Sequence, residues 1–106
     1  MLRFADPASL GYRVALFVGA NRPARLTGRD IAVRFDVPIS HVHQLLIDAV
    51  RDGMVDCEAD GAGREAFDTY GAGERLQVLL RLPLQEAPQP LQPLMRAIRC
   101  ATTGAA

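Results

Sequence analysis

Residues 27–53 read TGRDIAVRFDVPISHVHQLLIDAVRDG, a stretch that carries the signals of two helices joined by a short turn. Thr27 can accept the free amide hydrogens at a helix start, and Asp30 follows in the position that completes a capping box. The sequence therefore predicts a first helix over Gly28–Phe35. Pro38 ends it, because a proline disfavours a helical residue before it and has no amide hydrogen to donate.

A second helix is predicted over residues 40–52, with Ser40 as its N-terminal cap. Gly53 suits the left-handed conformation that ends many helices, and Met54 and Val55 after it begin a strand. The apolar residues of this second helix recur at the helical period and form one stripe that faces the core: Val42, Leu45, Leu46, Ala49 and Val50. Two such helices joined by a tight turn are typical of a helix-turn-helix.

The segment before this motif predicts a further helix. Asp6 and Pro7 resemble a cap followed by a proline at the first helical position, so we expect the helix to run from there to about Val18. Tyr12 and Leu16 lie on roughly the opposite side from its main apolar stripe. That stripe consists of Leu10, Val14, Phe17 and Val18. A helix with two apolar sides is expected to contact two neighbours.

A hairpin and a further strand are predicted after the second helix of the motif. Residues 54–57 and 64–70 alternate between apolar and polar, and a glycine-rich turn separates them. Beyond a turn at residues 71–73, alternation favours a strand over residues 75–82. The alternating residues are Leu76, Val78, Leu80 and Leu82. A short helix is the alternative there, because Leu79 breaks the alternation.

The C-terminal part combines a proline-rich linker at residues 83–93 with a short helix and frayed tail at residues 94–106, after a domain formed by residues 1–82. An apolar stripe at helical spacing includes Leu91, Leu94, Met95 and Ile98. A helix this short needs a surface to dock on. We favour the same chain, because the linker is long enough to fold back. The alternative is a dimer with a second copy, for which Tyr12 and Leu16 offer a matching surface.

Composition suits a single small domain. The chain has 106 residues, with 12 basic and 12 acidic side chains and a net charge of zero. A neutral chain has no overall electrostatic attraction to phosphate backbones, although a local basic patch is sufficient for binding nucleic acid. No apolar run is long enough to cross a membrane and no secretory signal is present, so we expect a soluble, cytoplasmic protein. Cys57 and Cys100 lack metal-ligand spacing and are expected to be free thiols rather than a disulfide.

Three helices followed by a hairpin are in the order of a winged helix-turn-helix domain. The chain most closely resembles the small bacterial iron-sulfur-type winged-helix repressors, which include regulators of cluster assembly and nitrite response. The likeness covers residues 10–67 and is carried by GYRVALFVGAN at 11–21, LTGRDIAVRFDVPISHVHQLLIDAVRDGMV at 26–55 and DGAGREAF at 60–67. It implies an α+β fold with three N-terminal helices and a two- or three-stranded antiparallel wing. The cluster-ligating cysteines of that family are missing here, so no metal or other cofactor is expected.

The resemblance implies a DNA-binding transcriptional regulator. The helix over residues 40–52 would enter the major groove, and the hairpin at residues 61–64 would touch the DNA backbone. Gln44 would then read adenine bidentately, and His41 or His43 would donate to a phosphate or a base edge. Four arginines are the expected phosphate contacts. The full set of candidate DNA-binding residues is Arg25, Arg29, Ser40, His41, His43, Gln44, Arg51 and Arg64.

The alternative is a protein-interaction module on the same scaffold, with no DNA binding. The neutral charge, and Asp48 and Ile47 on the outer face, favour it. Its candidate interface residues are Tyr12, Leu16, Ile47, Leu91, Leu94, Met95 and Ile98. A symmetric dimer would also present two reading helices to a palindromic site. We expect no enzyme, since no nucleophile motif is present. His41 and His43 point away from each other on a helix and cannot chelate one ion.

Overall fold

The computed structural model describes residues 2–61, 63 and 67–104 and has an α+β architecture. The α-helices within these residues are α1 (Leu10–Ala20), α2 (Gly28–Phe35), α3 (Ile39–Arg51), α4 (Glu74–Arg81) and α5 (Gln92–Gly104). The strands within them are β1 (Leu26–Thr27), β2 (Val55–Asp60) and β3 (Phe67–Ala72). Single turns of 3-10 helix lie at Leu2–Phe4, Leu84–Glu86 and Gln89–Leu91.

The three strands form one antiparallel sheet in the order β1-β3-β2. Strands β2 and β3 form the predicted ribbon, with Cys57 opposite Tyr70. Leu26 pairs with Tyr70 on the other side, so β1 rather than residues 75–82 supplies the third strand. The order of elements from α1 to β3 and the strand order are compatible with a winged-helix-like layout. The predicted α+β class with an antiparallel ribbon is therefore confirmed.

The capping predicted at the start of α2 is confirmed, whereas the predicted cap of α3 is wrong. The Thr27 hydroxyl accepts a hydrogen bond from the Asp30 amide, and the Asp30 carboxylate accepts one from the Thr27 amide, both at 3.0 Å. Helix α3 begins at Ile39, after Pro38, and no side chain caps it. Ser40 lies inside the first turn, because the extended backbone required of a cap falls on Pro38 instead.

Helix α1 begins later than the sequence predicts. Ser9 rather than Asp6 caps it, and the Ser9 hydroxyl accepts a hydrogen bond from the Tyr12 amide at 3.2 Å. The Asp6 carboxylate accepts from the Ala8 amide at 2.9 Å and so closes only a local turn. The predicted helix start at Asp6 and Pro7 is therefore wrong, because these residues form a turn before the helix.

The segment predicted as a final strand is the helix α4. Leu76 and Leu79 are three residues apart and both are buried, whereas Val78 is 47% exposed. The burial pattern therefore follows helical spacing. Leu79, which interrupts the predicted alternation, is the residue that indicates a helix. Upstream, the predicted turn is also wrong, because Gly71 and Ala72 belong to β3 and Gly73 is the residue before α4.

The proline-rich segment is folded onto the core rather than extended as a linker. Its Ala87 and Leu91 are buried, and α5 packs along α1. The Tyr12 hydroxyl donates to the Pro93 carbonyl at 3.5 Å, and a Cβ at Gly19 would lie 2.8 Å from Cδ1 of Ile98. One hydrophobic core therefore runs through all three predicted segments. Helix α5 is also longer than expected and extends to Gly104.

This packing corrects most of the predicted protein interface. Leu91, Leu94, Met95 and Ile98 are each 0% exposed, and Tyr12 is buried with them. Their apolar surface is used inside the chain, as the docking interpretation expected, and none of it is left for a partner. Leu16 is only half-buried, and Ile47 is 52% exposed.

Two glycines join α3, the ribbon and α4 at one point, which we call the glycine junction (Gly53 and Gly73). Gly53 has a φ of +78°, the left-handed conformation predicted for the end of α3. A Cβ at Gly73 would lie 2.2 Å from the Gly53 carbonyl oxygen, so no other residue fits there. The Gly73 amide donates to the Met54 carbonyl at 3.0 Å, and the Arg75 amide donates to the Gly53 carbonyl at 3.1 Å.

Candidate nucleic-acid interface

Helix α3 has one face in the core and one face in solvent. Val42, Leu46 and Ala49 are each at most 1% exposed and contribute to the hydrophobic core. This confirms the helical phase predicted from the sequence. Val50 differs from the prediction, because it is 38% exposed at the edge of the stripe. Leu45 is half-buried and packs against the same core, so the exposed residues of α3 are the ones that a partner could reach.

The outer face of α3 carries the predicted contact residues. Ser40, Gln44 and Arg51 are exposed and lie on one line of the helix, because their spacing returns to the same side at 3.6 residues per turn. His43 is also exposed and borders α2, since a Cβ at Gly28 would lie 3.0 Å from its Nε2. His41 is exposed on the opposite flank. The helix thus presents four hydrogen-bonding side chains and an arginine to solvent.

Asp48, which the sequence placed on the outer face, is instead held by a partner from the N-terminal segment. Its Oδ2 lies 2.8 Å from Nη1 of Arg3, and Nε of Arg3 lies 3.8 Å from Oδ2 of Asp52. Both carboxylates are only partly exposed. This pairing neutralises much of the negative charge that would otherwise oppose a phosphate backbone. Sequence reasoning missed Arg3, because only the fold brings the N-terminal turn beside α3.

Two of the four predicted phosphate-binding arginines remain available. Arg29 in the first turn of α2 and Arg51 near the end of α3 are exposed, and neither forms an ion pair with another described residue. Arg29 follows Gly28, which contacts His43, so the start of α2 lies beside the outer face of α3. Arg64 lies outside the described residues.

Arg25 is not available, which corrects that prediction. Its Nη1 lies 3.1 Å from Oδ2 of Asp56, and its Nε lies 3.3 Å from Oε2 of Glu58. The same guanidinium donates to the hydroxyl and to the carbonyl oxygen of Thr69, each at 3.0 Å. Arg25 therefore ties β2 to β3 from one face of the sheet. Its partners are remote in the sequence, so no local pattern could have identified this role.

The ribbon itself is acidic. Asp56, Glu58 and Asp60 alternate along β2 and share the face that Arg25 covers, while Asp68 lies on β3. Arg25 pairs with Asp56 and Glu58, and no ion pair forms on Asp60 or Asp68 among the described residues. The described part of the ribbon therefore repels phosphate. A phosphate contact there would depend on residues at the tip.

An apolar line runs beside the polar line of α3. Ile39, Ile47 and Val50 are 46%, 52% and 38% exposed, and their spacing places them on one side of the helix. Val33 on α2 is 73% exposed. Exposed apolar residues of this size indicate a contact surface when they cluster. The outer face of α3 is therefore amphipathic, with a polar line next to an apolar one.

The face of the ribbon opposite Arg25 brings Cys57 next to Tyr70. Partial desolvation, followed by the charge of Asp68, raises the pKa of the Cys57 thiol. Burial, followed by the Cys57 charge, raises the pKa of Tyr70 to about 12. Both groups are therefore protonated near neutral pH, and a thiol is a weaker nucleophile than a thiolate. Nothing in this pair suggests catalysis.

The two cysteines are free and exposed. No cluster of three or more His, Cys, Asp or Glu side chains able to hold a metal ion occurs among the described residues. Within the same residues, no helix has both the length and the apolar character needed to cross a bilayer. Comparison with protein-family models, with curated proteins and with solved structures found no match to this chain. The case for a function therefore depends on the geometry alone.

Proposed function

We propose that this chain is a winged-helix DNA-binding regulator whose helix α3 reads the major groove. The order α1-β1-α2-α3-β2-β3 and the strand order β1-β3-β2 support a winged helix-turn-helix assignment. An α-helix with its side chains is about 10–12 Å wide, and the major groove has about the same width. A helix with one face in the core and the other unobstructed has the shape that this docking requires.

The observation that carries the proposal is the composition of the outer face of α3. Gln44 can donate to and accept from adenine, and Ser40 can bond a base or a phosphate. Arg51 on the same line of α3 and Arg29 at the start of α2 have no ion-pair partners among the described residues, so they can neutralise phosphates. Asp48, the carboxylate that would oppose this, is paired with Arg3.

The proposal is tested by measuring binding to a duplex of mixed sequence at several salt concentrations. We expect binding at low salt that weakens as salt rises, with a slope of about 0.9 per phosphate neutralised. The double variant R29Q/R51Q should lower that slope by about 2. R75Q removes an exposed arginine of α4 and is the matched control. Failure of the wild-type chain to bind at low salt, or an unchanged slope in R29Q/R51Q, would contradict the proposal.

A second candidate function is recognition of a protein, and the apolar line of α3 specifically favours it. Ile39, Ile47 and Val50 would be unusual on a helix that meets only phosphates and polar base edges, although thymine methyl groups do accept apolar contacts. A second copy of the chain is the partner that can be tested directly. Sedimentation equilibrium would show an oligomer in the wild type that I47S weakens, if this alternative holds. A monomer in both would contradict that form of it.

A further inference from the structure

A shallow pocket lies at the seam between α1 and α2, away from the residues proposed to meet DNA. It has a volume of about 290 Å³, and we call it the seam pocket. The residues that line it are Arg13, Leu16, Phe17, Ala20, Arg34 and Phe35. The four residues from α1 recur at spacings of three, four and seven, so they share one face of that helix. Leu16, Phe17 and Phe35 pack partly against the core, whereas the two arginines belong neither to the core nor to the proposed DNA contact.

The floor of the seam pocket is aromatic and apolar. Phe17 and Phe35 meet edge to face, with ring centroids 5.7 Å apart and an interplanar angle of 89°. Leu16 and Ala20 are half-buried beside them, so part of each side chain stays in contact with solvent. This arrangement offers a flat or compact apolar group a surface to cover, including ring faces and edges.

The rim of the seam pocket carries two guanidinium groups. Cζ of Arg13 lies 5.1 Å from the centroid of Phe35, and Cζ of Arg34 lies 5.6 Å from that of Phe17 and 5.4 Å from that of Phe35. A guanidinium has five N–H donors, so one that lies near a ring still has donors for an anion. Neither arginine forms an ion pair with another described residue, and no carboxylate lines the pocket.

We propose that the seam pocket binds a small carboxylate with an aromatic body. The two arginines supply charge and N–H donors for the carboxylate, and the two phenylalanines and Leu16 supply the surface for the ring. The volume is near the lower end of the range for ligand pockets, which suits a single-ring acid better than a nucleotide. This inference does not depend on DNA binding, because the pocket is built from other residues.

A second cavity, beside Arg25 and the sheet, does not offer the same chemistry. It has a volume of about 350 Å³ and is lined in part by Arg22, Arg25 and Asp56. Arg25 is already paired with acidic residues of β2, and Arg22 donates to the Gly19 carbonyl at 2.8 Å. An incoming anion would meet Asp56 and arginines that already have partners. The seam pocket is therefore the better anion site.

The experiment is a titration of the isotope-labelled chain with phenylacetate, followed by two-dimensional NMR. We expect saturable shifts confined to amides near Leu16, Ala20 and Phe35. Phenylacetamide keeps the ring but lacks the charge, and acetate keeps the charge but lacks the ring, so each should bind at least about tenfold more weakly. Equal affinity for phenylacetamide, or no saturable shift with phenylacetate, would overturn the proposal.

Variants identify which arginine bonds the carboxylate. R13Q and R34Q each keep a polar but shorter side chain and lose the charge, and we expect about tenfold weaker binding of phenylacetate from at least one of them. R75Q on α4 should bind phenylacetate as the wild type does. Unchanged affinity in both R13Q and R34Q would refute the assignment. The wild-type comparison of phenylacetate with phenylacetamide remains decisive if either variant fails to fold. A short acidic peptide that shifts the same amides more tightly than phenylacetate would also overturn it.

Discussion

Helix α3 and the β2–β3 ribbon are neighbours in space, but an arginine is paired on the ribbon and a carboxylate is paired on α3. On the ribbon, Arg25 is fixed by Asp56, Glu58 and Thr69, and the surface left over is acidic. On α3, the carboxylate of Asp48 is paired with Arg3, and Arg51 is left exposed. A chain with a net charge of zero can therefore present a positive surface in one region, because each ion pair neutralises charge only in its own surroundings.

The buried and exposed faces of α3 should differ strongly in how much their side chains contribute to the free energy of unfolding. Leu46→Ala should lower the free energy of unfolding by about 2–5 kcal/mol, because the side chain is 1% exposed and its removal leaves a cavity. Ile47→Ala, one residue away and half-exposed, should change it by less than about 0.5 kcal/mol. Urea denaturation followed by circular dichroism measures both. Equal losses would mean that the phase of α3 is wrong.

The second effect concerns the ribbon and its dependence on pH. The pKa of Tyr70 is raised to about 12 in the folded chain, above the ordinary value near 10. The stabilisation from the protonated phenol is therefore complete below about pH 10 and is lost as pH rises to about 12, by roughly 2 kcal/mol. Stability measured across this range should fall more steeply in the wild type than in Tyr70→Phe. Parallel curves would refute a buried Tyr70 phenol.

Arg25 on the ribbon and Arg51 on α3 should affect stability and DNA binding in opposite order. Arg25→Met should cost about 1–2 kcal/mol of stability, because it removes hydrogen bonds to Thr69 and leaves Asp56 and Glu58 close together. Arg51→Met should cost less than about 0.5 kcal/mol. For DNA affinity we expect the opposite ranking of the two variants. Arg51→Met should reduce the salt slope, whereas Arg25→Met should leave it unchanged. The same ranking of the two variants in both assays would remove the distinction between a structural and an exposed arginine.

The ion pair between Arg3 and Asp48 should contribute only weakly to stability. Arg3→Gln should lower stability by about 0.2–1 kcal/mol, because the pair is partly exposed to solvent. The loss should shrink at high salt, where surface charges are screened. Thermal unfolding at two salt concentrations measures it, with R75Q as a control without an ion pair among the described residues. A loss that is independent of salt would contradict an electrostatic role for Arg3.

Local signals in the sequence predicted the helix-turn-helix region well. The capping box of Thr27 and Asp30 and the left-handed Gly53 act over a few residues, so a local pattern is sufficient to predict them. The buried stripe of α3 followed from its period. The helix α4 was mistaken for a strand because Leu76, Val78 and Leu80 alternate with other residues, and greater weight was given to that alternation than to its interruption at Leu79.

Features that depend on remote contacts could not be predicted in this way. The role of Arg25 requires knowing that β3 brings Thr69 and β2 brings Asp56 beside it. The proline-rich segment resembled an extended linker, because it has no sustained apolar period and the packing of Ala87 and Leu91 on the core depends on residues remote in the sequence. For the candidate site, the outer positions of α3 were predicted, whereas the neutralisation of Asp48 was not.

The glycine junction restrains the position of the ribbon relative to α3. Gly53 and Gly73 meet backbone to backbone, so α3 and the root of the ribbon diverge at an angle that side-chain substitutions elsewhere cannot readily adjust. Insertions at the ribbon tip would change how far the ribbon reaches but not its separation from α3 at the base. A partner that contacts both surfaces would therefore meet a spacing that Gly53 and Gly73 set at the base.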